Sequence, residues 1–305
     1  MLTRVKLAPG APGSVKLRVK GWQALLTHHT FRRVSQLGFT AFIAFPVIQH
    51  AILGENGAVT TPSTEAYCPF GGLETLYQYI TTGGAFVAHT HLSNVALLAA
   101  VLAVALLLRS AFCGWICPLG FLQDLASALS RLLQKRIPGL RRMITSLKKR
   151  GAGLAVLDRY LRYVKYLVLV WAIGGSAYFG VMVFRDYDPW AALLNIVEFS
   201  FTPGILILMV TLIASFFVER PWCRYACPLG AVSGILGKVS PIYLQREESA
   251  CTSCKLCSKA CPMGVDVHTA KAIKNTDCIT CLECVEACPR HGALEVKLGL
   301  PFIGK

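Results

Sequence analysis

Cys251-Thr-Ser-Cys254-Lys-Leu-Cys257-Ser-Lys-Ala-Cys261-Pro262 is the first of two cysteine runs that decide the fold of the carboxy-terminal region. The second reads Cys278-Ile-Thr-Cys281-Leu-Glu-Cys284-Val-Glu-Ala-Cys288-Pro289. Each run has the spacing C-x2-C-x2-C-x3-C-P, in which three thiolates hold one 4Fe–4S cluster and the fourth ligates the other cluster. We call residues 251–262 the first run and residues 278–289 the second run. Together they predict a dicluster ferredoxin fold.

The spacing also predicts which cysteines share a cluster. The first set is Cys251, Cys254, Cys257 and Cys288, and the second set is Cys278, Cys281, Cys284 and Cys261. Proline after the fourth cysteine removes a backbone donor and ends the local pairing. Zinc is the alternative metal, because C-x2-C pairs also suit zinc. Two complete four-cysteine runs, each followed by proline, favour iron–sulfur clusters over zinc.

The composition predicts a membrane protein. Of the 305 residues, 54% are hydrophobic and 15% are charged, against a usual charged share of about 25%. The mean hydropathy is +0.52. Each of four apolar stretches approaches the ~20 residues that a helix needs to cross a bilayer. The predicted spans are residues 34–53, 92–108, 164–184 and 204–218.

Basic residues are concentrated in three segments. Lys and Arg number seven in 1–33, twelve in 109–165 and eleven in 219–305, against none in 54–92 and one in 185–202. The positive-inside rule then places both termini in the cytoplasm of a multi-pass protein of the bacterial inner membrane. The net charge of +15 is thereby explained by topology and attraction to lipid headgroups, and no nucleic-acid partner is expected.

A second cysteine motif is repeated within the predicted membrane domain. Cys113-Gly-Trp-Ile-Cys117-Pro-Leu-Gly aligns with Cys223-Arg-Tyr-Ala-Cys227-Pro-Leu-Gly at an offset of 110 residues. Upstream, Tyr67-Cys-Pro-Phe aligns with Tyr187-Asp-Pro-Trp at an offset of 120. Both copies run in the same direction along the chain, which predicts two parallel repeats related by a pseudo-two-fold axis along the membrane normal.

These four C-x3-C-P cysteines are candidates for a third centre. An i,i+4 spacing places both thiols of a pair on one helix face. If the repeats are related by symmetry, Cys113, Cys117, Cys223 and Cys227 would converge on an iron–sulfur cluster or another metal. Packing residues or a structural metal clip are the alternatives. The remaining cysteine, Cys68, is expected to be a free thiol.

The assembled motifs resemble those of the NapH/NosR-type membrane polyferredoxins. Phe112-Cys113-Gly-Trp-Ile-Cys117-Pro-Leu and Trp222-Cys223 to Cys227-Pro-Leu-Gly-Ala231 look like the two C-x3-C-P motifs of that family, and the resemblance covers roughly residues 30–290. It implies electron transfer between the membrane quinone pool and partner redox proteins. It also implies that the eight cysteines of the two runs are 4Fe–4S ligands.

A quinol site needs apolar walls and a group that takes up a proton. Ionisable residues near the outer ends of the predicted spans supply the candidates His50, Glu74, His89, His91 and Glu198, with Tyr77, Tyr79, Asp186 and Asp188 beside them. An ordinary interfacial polar residue is the alternative for each. A b-type haem bound by His50 with His89 or His91 is a further alternative.

The expected architecture is a membrane all-α domain of four transmembrane helices in two parallel repeats, followed by an α+β dicluster ferredoxin-like domain. The predicted boundaries are a basic tail at 1–33, the membrane domain at 34–240 and the ferredoxin domain at 241–305. The expected function is electron transfer, as a subunit of a quinol dehydrogenase, between quinol and ferredoxin-like, cytochrome or terminal reductase components. The alternatives are a maturation or regulatory protein that reduces metal ions or thiols for an exported metalloenzyme, and a structural anchor.

Overall fold

The structure is a computed structural model. It describes residues 28–53, 72, 75–76, 79–80, 92–150, 155–179, 183–194, 202–290 and 292–299. Helices dominate the amino-terminal two thirds of this part of the chain. They are α1 His28–Leu53, α2 Leu92–Leu108, α3 Ala111–Trp115, α4 Pro118–Arg136, α5 Pro138–Arg150, α6 Ala155–Phe179, α7 Pro189–Leu194, α8 Pro203–Ala214, α9 Pro221–Tyr225 and α10 Pro228–Leu236.

The prediction of four transmembrane helices is wrong. Within the described residues, no helix is both long enough and apolar enough to cross a membrane. The two most apolar candidates are short: α2 has 17 residues and α8 has 12. At about 1.5 Å per residue, α2 extends roughly 26 Å and α8 roughly 18 Å, less than the about 30 Å of a hydrocarbon core.

The other two predicted spans overlap long helices that include charged residues ahead of the span. Helix α1 has 26 residues and includes Arg32 and Arg33 near its start. Helix α6 has 25 residues and begins nine residues before the predicted span, so that Asp158 and Arg162 are part of it. Each predicted span therefore overlaps a helix, but within the described residues none of these helices is long and apolar enough to cross a membrane.

Proline marks the start of many helices. Pro118, Pro203 and Pro221 each occupy one of the first two positions of a helix, where the missing N–H costs nothing and the fixed φ angle suits the helix. The residues before Pro118 and Pro203 are extended, as expected before proline.

The C-x3-C-P half of the repeat is visible in the local structure. Helices α3 and α9 both have five residues and are separated by the predicted offset of 110. In each copy a short turn follows, and the next helix, α4 or α10, begins at the proline after the second cysteine. The sequence repeat is therefore a repeat of backbone structure.

The chain forms two compact units, and each unit combines segments that are distant from one another in the sequence. One contains residues 1–37, 104–116 and 233–305, and the other contains 38–103 and 117–232. We call the first the cluster unit and the second the helical unit.

The cluster unit contains a small antiparallel sheet with the strand order β2-β1-β3. The strands are β1 Ile242–Arg246, β2 Ala272–Ile273 and β3 Leu294–Leu298. In the register, Leu244 of β1 lies opposite Ile273 on one side and Val296 on the other. The buried side chains of Leu244 and Ile273 belong to the core of this unit. The two cysteine runs lie between these strands in the chain, in the α+β arrangement expected of the ferredoxin part.

The helical unit has an apolar core of Val47, Leu119, Trp190 and Leu208. A buried ion pair lies in the same unit: Arg220 is fully buried, and its Nε and Nη2 atoms each donate to Asp124 at 2.7 Å. The bidentate geometry holds the guanidinium and carboxylate planes together and offsets the cost of removing both charges from water.

Candidate iron–sulfur site

The two cysteine runs share one backbone conformation. Ser253 and Lys255 of the first run have φ angles of 52° and 61°, and Thr280 and Leu282 of the second have 49° and 61°. Positive φ is uncommon for residues other than glycine, and such strain is typical of functional sites. Its recurrence at matching positions, 27 residues apart, shows that both loops are bent in the same way. Alternation of this kind points backbone N–H groups into a concavity that favours negative charge.

A single helical turn follows each loop and carries the third cysteine. These turns are α11 Leu256–Lys259 and α12 Glu283–Glu286. Their hydrogen bonds match: Lys259 N donates to Lys255 O and Glu286 N donates to Leu282 O, both at 3.1 Å. The fourth cysteine then follows in the same geometry in both runs, because Cys261 N and Cys288 N each donate to the carbonyl three residues earlier at 3.3 Å.

Three thiols of the first predicted set lie near one another. Burial raises the pKa of the Cys257 thiol, hydrogen bonds from Ser258 oppose the shift, and the negative potentials of Cys288 and Cys251 raise the pKa further. Cys288 belongs to the second run, so its approach to Cys257 is the crossing that the dicluster spacing predicts. Cys254, the fourth member of the set, is exposed.

The thiol of Cys284 interacts with the three other thiols of the second predicted set. Burial raises the pKa of Cys284, and the neighbouring thiols of Cys281, Cys278 and Cys261 raise it further, with a smaller contribution from Cys257. Cys261 comes from the first run, which gives the reciprocal crossing.

Cys261 also accepts a backbone hydrogen bond, from Val265 N to its sulfur at 3.4 Å. Its pKa is nevertheless raised, mainly by burial and in part by Cys278. Thiols crowded in this way resist ionisation unless a cation compensates their charge, and metal binding deprotonates them. Sets of thiolates with N–H···S bonds fit iron–sulfur clusters. Among the described residues, no three His, Cys, Asp or Glu side chains converge on a position for a single metal ion; the thiolates of a 4Fe–4S cluster each bind a different iron atom and need not converge in this way.

Two segments of the cluster unit cover the second run: the start of α1 and helix α3. Arg32 is 2% exposed; its Nε donates to Gly114 O at 2.9 Å and its Nη1 donates to a Glu283 carboxylate oxygen at 2.5 Å. Gln36 Nε2 donates to the same Gly114 carbonyl at 3.0 Å. The backbone N–H of His29 donates to Glu286 at 3.2 Å. The charged and polar groups of α12 are thereby bound by the amino end of α1.

Helix α3 lies directly against the cysteine loop of the second run. The indole N–H of Trp115 donates to Thr280 O at 3.0 Å. A Cβ added at Gly114 would lie 2.5 Å from Ile279 O and 3.8 Å from the Cα of Cys281. Glycine at this position is therefore required by the close approach of two backbones.

A buried arginine also supports the second run. Arg109 has a φ of 61° and is 2% exposed; it donates to Ile273 O at 2.9 Å and to Asn275 O at 2.8 Å. Burial lowers the pKa of Arg109, and the interaction with Cys278 raises it. No pattern in the sequence predicted these roles for Arg32, Gly114, Trp115 and Arg109. The glycine and tryptophan between the cysteines of the first C-x3-C-P motif could have suggested a packing contact. Their partners could not be identified from the sequence, because they are more than 160 residues away.

The C-x3-C-P cysteines are distributed over both units. Cys113, in α3, and Cys223, in α9, are buried. Gln123 Nε2 lies 3.6 Å from the sulfur of Cys223, whose pKa is raised by burial. Cys227 precedes α10, and its sulfur accepts the Gly230 N–H at 3.3 Å. A third centre on Cys113, Cys117, Cys223 and Cys227 stays a prediction.

The quinone-site candidates Glu74, His89, His91 and Glu198, together with the side chain of His50, lie outside the described residues. Asp188, which is described, is buried and accepts the Trp190 N–H at 3.0 Å. Burial raises its pKa to about 7, and the Trp190 hydrogen bond opposes that shift. Asp188 is therefore the N-cap of α7, and this structural role explains its position without a bound quinone.

Comparison with known proteins defines the class. The 4Fe-4S binding domain family matches residues 90–137 and 200–244, and the 4Fe-4S dicluster domain family matches residues 243–289. The chain is thus a ferredoxin-type iron–sulfur protein. The first match coincides with the two copies of the C-x3-C-P motif, and the second coincides with the two cysteine runs.

The relatives define the family. The chain is 30% identical to the ferredoxin-type protein NapH of Escherichia coli, over 66% of this chain and 68% of that protein. It is 29% identical to NapH of Haemophilus influenzae, over 92% and 93% respectively. It is also 29% identical to YccM of Escherichia coli, a protein named for electron transport, over 99% and 84%. No solved structure matches the chain. The chain belongs to the NapH/NosR-type polyferredoxins, a family of ferredoxin-type electron-transfer proteins.

Proposed function

We propose that this chain transfers electrons between quinol and partner redox proteins through two 4Fe–4S clusters. The proposed ligands are Cys251, Cys254, Cys257 and Cys288 for the first cluster and Cys261, Cys278, Cys281 and Cys284 for the second. A bound cluster would supply one-electron oxidation and reduction, while the protein supplies position, burial and hydrogen bonds to sulfur. The observation that supports the proposal is the electrostatic interaction of Cys288 with Cys257 and of Cys261 with Cys278, because this assignment needs one cysteine of each run near the other run.

Iron content tests the ligand assignment. The full chain, purified without oxygen, should contain about eight iron atoms in these two sites. Cys284→Ala should lose about half of that iron, and the first cluster should retain its paramagnetic resonance signal after reduction. Cys68→Ala is the matched control, because Cys68 belongs to neither set. Full iron content in Cys284→Ala, or zinc in place of iron in the wild-type protein, would contradict the assignment.

Exchange with quinol is the finer part of the proposal, and the NapH-type family supports it. It is tested by adding a short-chain quinol to the oxidised, cluster-loaded protein and following the loss of visible absorbance. Bleaching by quinol would support the link. Bleaching by dithionite but not by quinol would restrict the protein to exchange with other carriers. Association with the inner membrane belongs to the same proposal, and recovery of the protein in the soluble fraction after lysis would contradict it.

A third centre on the C-x3-C-P cysteines is the last part of the proposal. It would raise the iron content from about eight to about twelve atoms per chain. Cys223→Ala, compared with Cys68→Ala, isolates this contribution because Cys223 lies outside both runs. An iron content of about eight in both variants would leave the four cysteines without a cluster.

A further inference from the structure

The two cysteine runs differ in charge at matching positions. With the offset of 27 residues, Lys259 of the first run corresponds to Glu286 of the second, and Leu256 corresponds to Glu283. Lys255 has an uncharged counterpart, Leu282. The helical turn of the first run is therefore preceded by Lys255 and ends at Lys259, whereas that of the second contains two glutamates.

The runs also differ in exposure. Cys254, Lys255 and Lys259 are exposed, and Leu256 is 44% exposed. At the matching positions of the second run, Cys281 is 9% exposed and Glu283 is partly buried. We call residues 254–259 the lysine face. It combines an exposed cluster-ligand candidate, an exposed leucine and two basic side chains.

The difference has a structural cause. Contacts from the chain itself already occupy the second run: Arg32 binds Glu283, the His29 N–H binds Glu286, and Trp115 binds Thr280. On the lysine face, neither Lys255 nor Lys259 forms an ion pair with a described residue. Other segments of the chain thus cover the helical turn of the second run, whereas Lys255 and Lys259 of the first run are exposed to solvent.

We propose that the lysine face is the docking surface for an acidic one-electron carrier protein. This inference rests on the proposed electron-transfer function. Electron transfer between proteins requires a short distance between redox centres, and Cys254 is the ligand candidate that reaches the surface. An apolar residue surrounded by charged ones has the anatomy of a transient interface. Lysines around it accelerate encounter with an acidic partner and orient it.

The experiment uses the full, cluster-loaded chain and an acidic plant-type 2Fe–2S ferredoxin as the probe. Calorimetry at about 50 mM salt measures the dissociation constant, which should rise about ten-fold in Lys255→Glu/Lys259→Glu. The difference should disappear at about 0.5 M salt because exposed charges are then screened. Leu256→Ala should also weaken binding, but with no change in the salt dependence.

The matched control is Arg141→Glu/Arg142→Glu, which makes the same change in net charge at exposed positions of α5. Acetylation of lysines in the complex gives an independent readout: Lys255 and Lys259 should be protected by the ferredoxin, and Lys135 of α4 should not. Equal weakening in both double variants would overturn the proposal, because net charge alone would then explain binding.

Anionic phospholipid vesicles are the second probe. If Lys255→Glu/Lys259→Glu lost vesicle binding but kept ferredoxin binding, the lysine face would be a lipid-contacting surface and the proposal would be overturned. Iron content and reversible reduction by dithionite are measured on the same samples. If dithionite did not reduce the wild-type protein reversibly, the electron-transfer function would be refuted. If the wild-type protein were reduced normally but did not bind ferredoxin, only the docking surface would be refuted.

Discussion

Replacing Gly114 with alanine tests whether close packing of α3 holds the cysteine loop of the second run. The added Cβ would lie 2.5 Å from Ile279 O, and both groups belong to backbones that cannot swing aside. Overpacking of this kind costs about 1–3 kcal/mol. Alanine in a helix recovers about 0.5–1 kcal/mol relative to glycine. We therefore expect a net destabilisation of about 1–2 kcal/mol, confined to the cluster unit.

The assay is thermal unfolding of the cluster-loaded protein, followed by visible absorbance. The expected loss lowers the midpoint by roughly 3–8 °C. Chelator-induced loss of iron from the second cluster should become faster, since Cys281 lies close to the added methyl group.

Gly38→Ala is the matched control. It is also a helical glycine, and a Cβ there would meet no atom within 4 Å. It should leave iron release unchanged and stabilise the helix slightly. The reasoning is refuted if Gly114→Ala unfolds at the wild-type temperature or above and releases iron at the wild-type rate.

Three further perturbations follow from the described contacts. Arg220→Gln should cost about 3–5 kcal/mol in the free energy of unfolding by denaturant, because Asp124 would remain buried without its partner; replacing both residues with apolar ones should restore much of the loss. Trp115→Phe should cost about 0.5–1.5 kcal/mol, because it removes the hydrogen bond to Thr280 O and keeps most of the ring. Asp188, whose pKa is raised to about 7, binds more protons in the folded than in the unfolded state between pH about 4 and 7. Its contribution to stability should therefore fall as pH rises through that window, and Asp188→Asn should remove that fall.

Each of these has a result that would contradict it. Near-wild-type stability of Arg220→Gln would mean that the ion pair is not required. A larger loss in Trp115→Phe than in Gly114→Ala would mean that the ring, rather than the backbone approach, holds the loop. A pH profile that is the same for Asp188→Asn and the wild-type protein would assign the titration to another group.

Local patterns predicted local structure well. The apolar stretch 92–108 coincides with helix α2, and the offset of 110 between the C-x3-C-P motifs reappears as two equal short helices. For the other three stretches, the predicted membrane spans were wrong because the helices begin or end at other residues than the apolar stretches do. Helix α6 starts at Ala155 and includes charged residues that the predicted span omitted, and α8 ends at Ala214, four residues before the predicted end.

The sequence by itself determined the two cysteine runs and the repeated motif and predicted the ligand sets, because the spacing of ligands along a loop and a helical turn is a property of about ten neighbouring residues. Only the tertiary structure decided that the second run is covered by other segments and that the first run is exposed. Arg32 and Glu283 are 251 residues apart, and their contact depends on how α1 packs on α12. Since burial is created by segments distant in the chain, two runs with the same cysteine spacing acquire different surroundings.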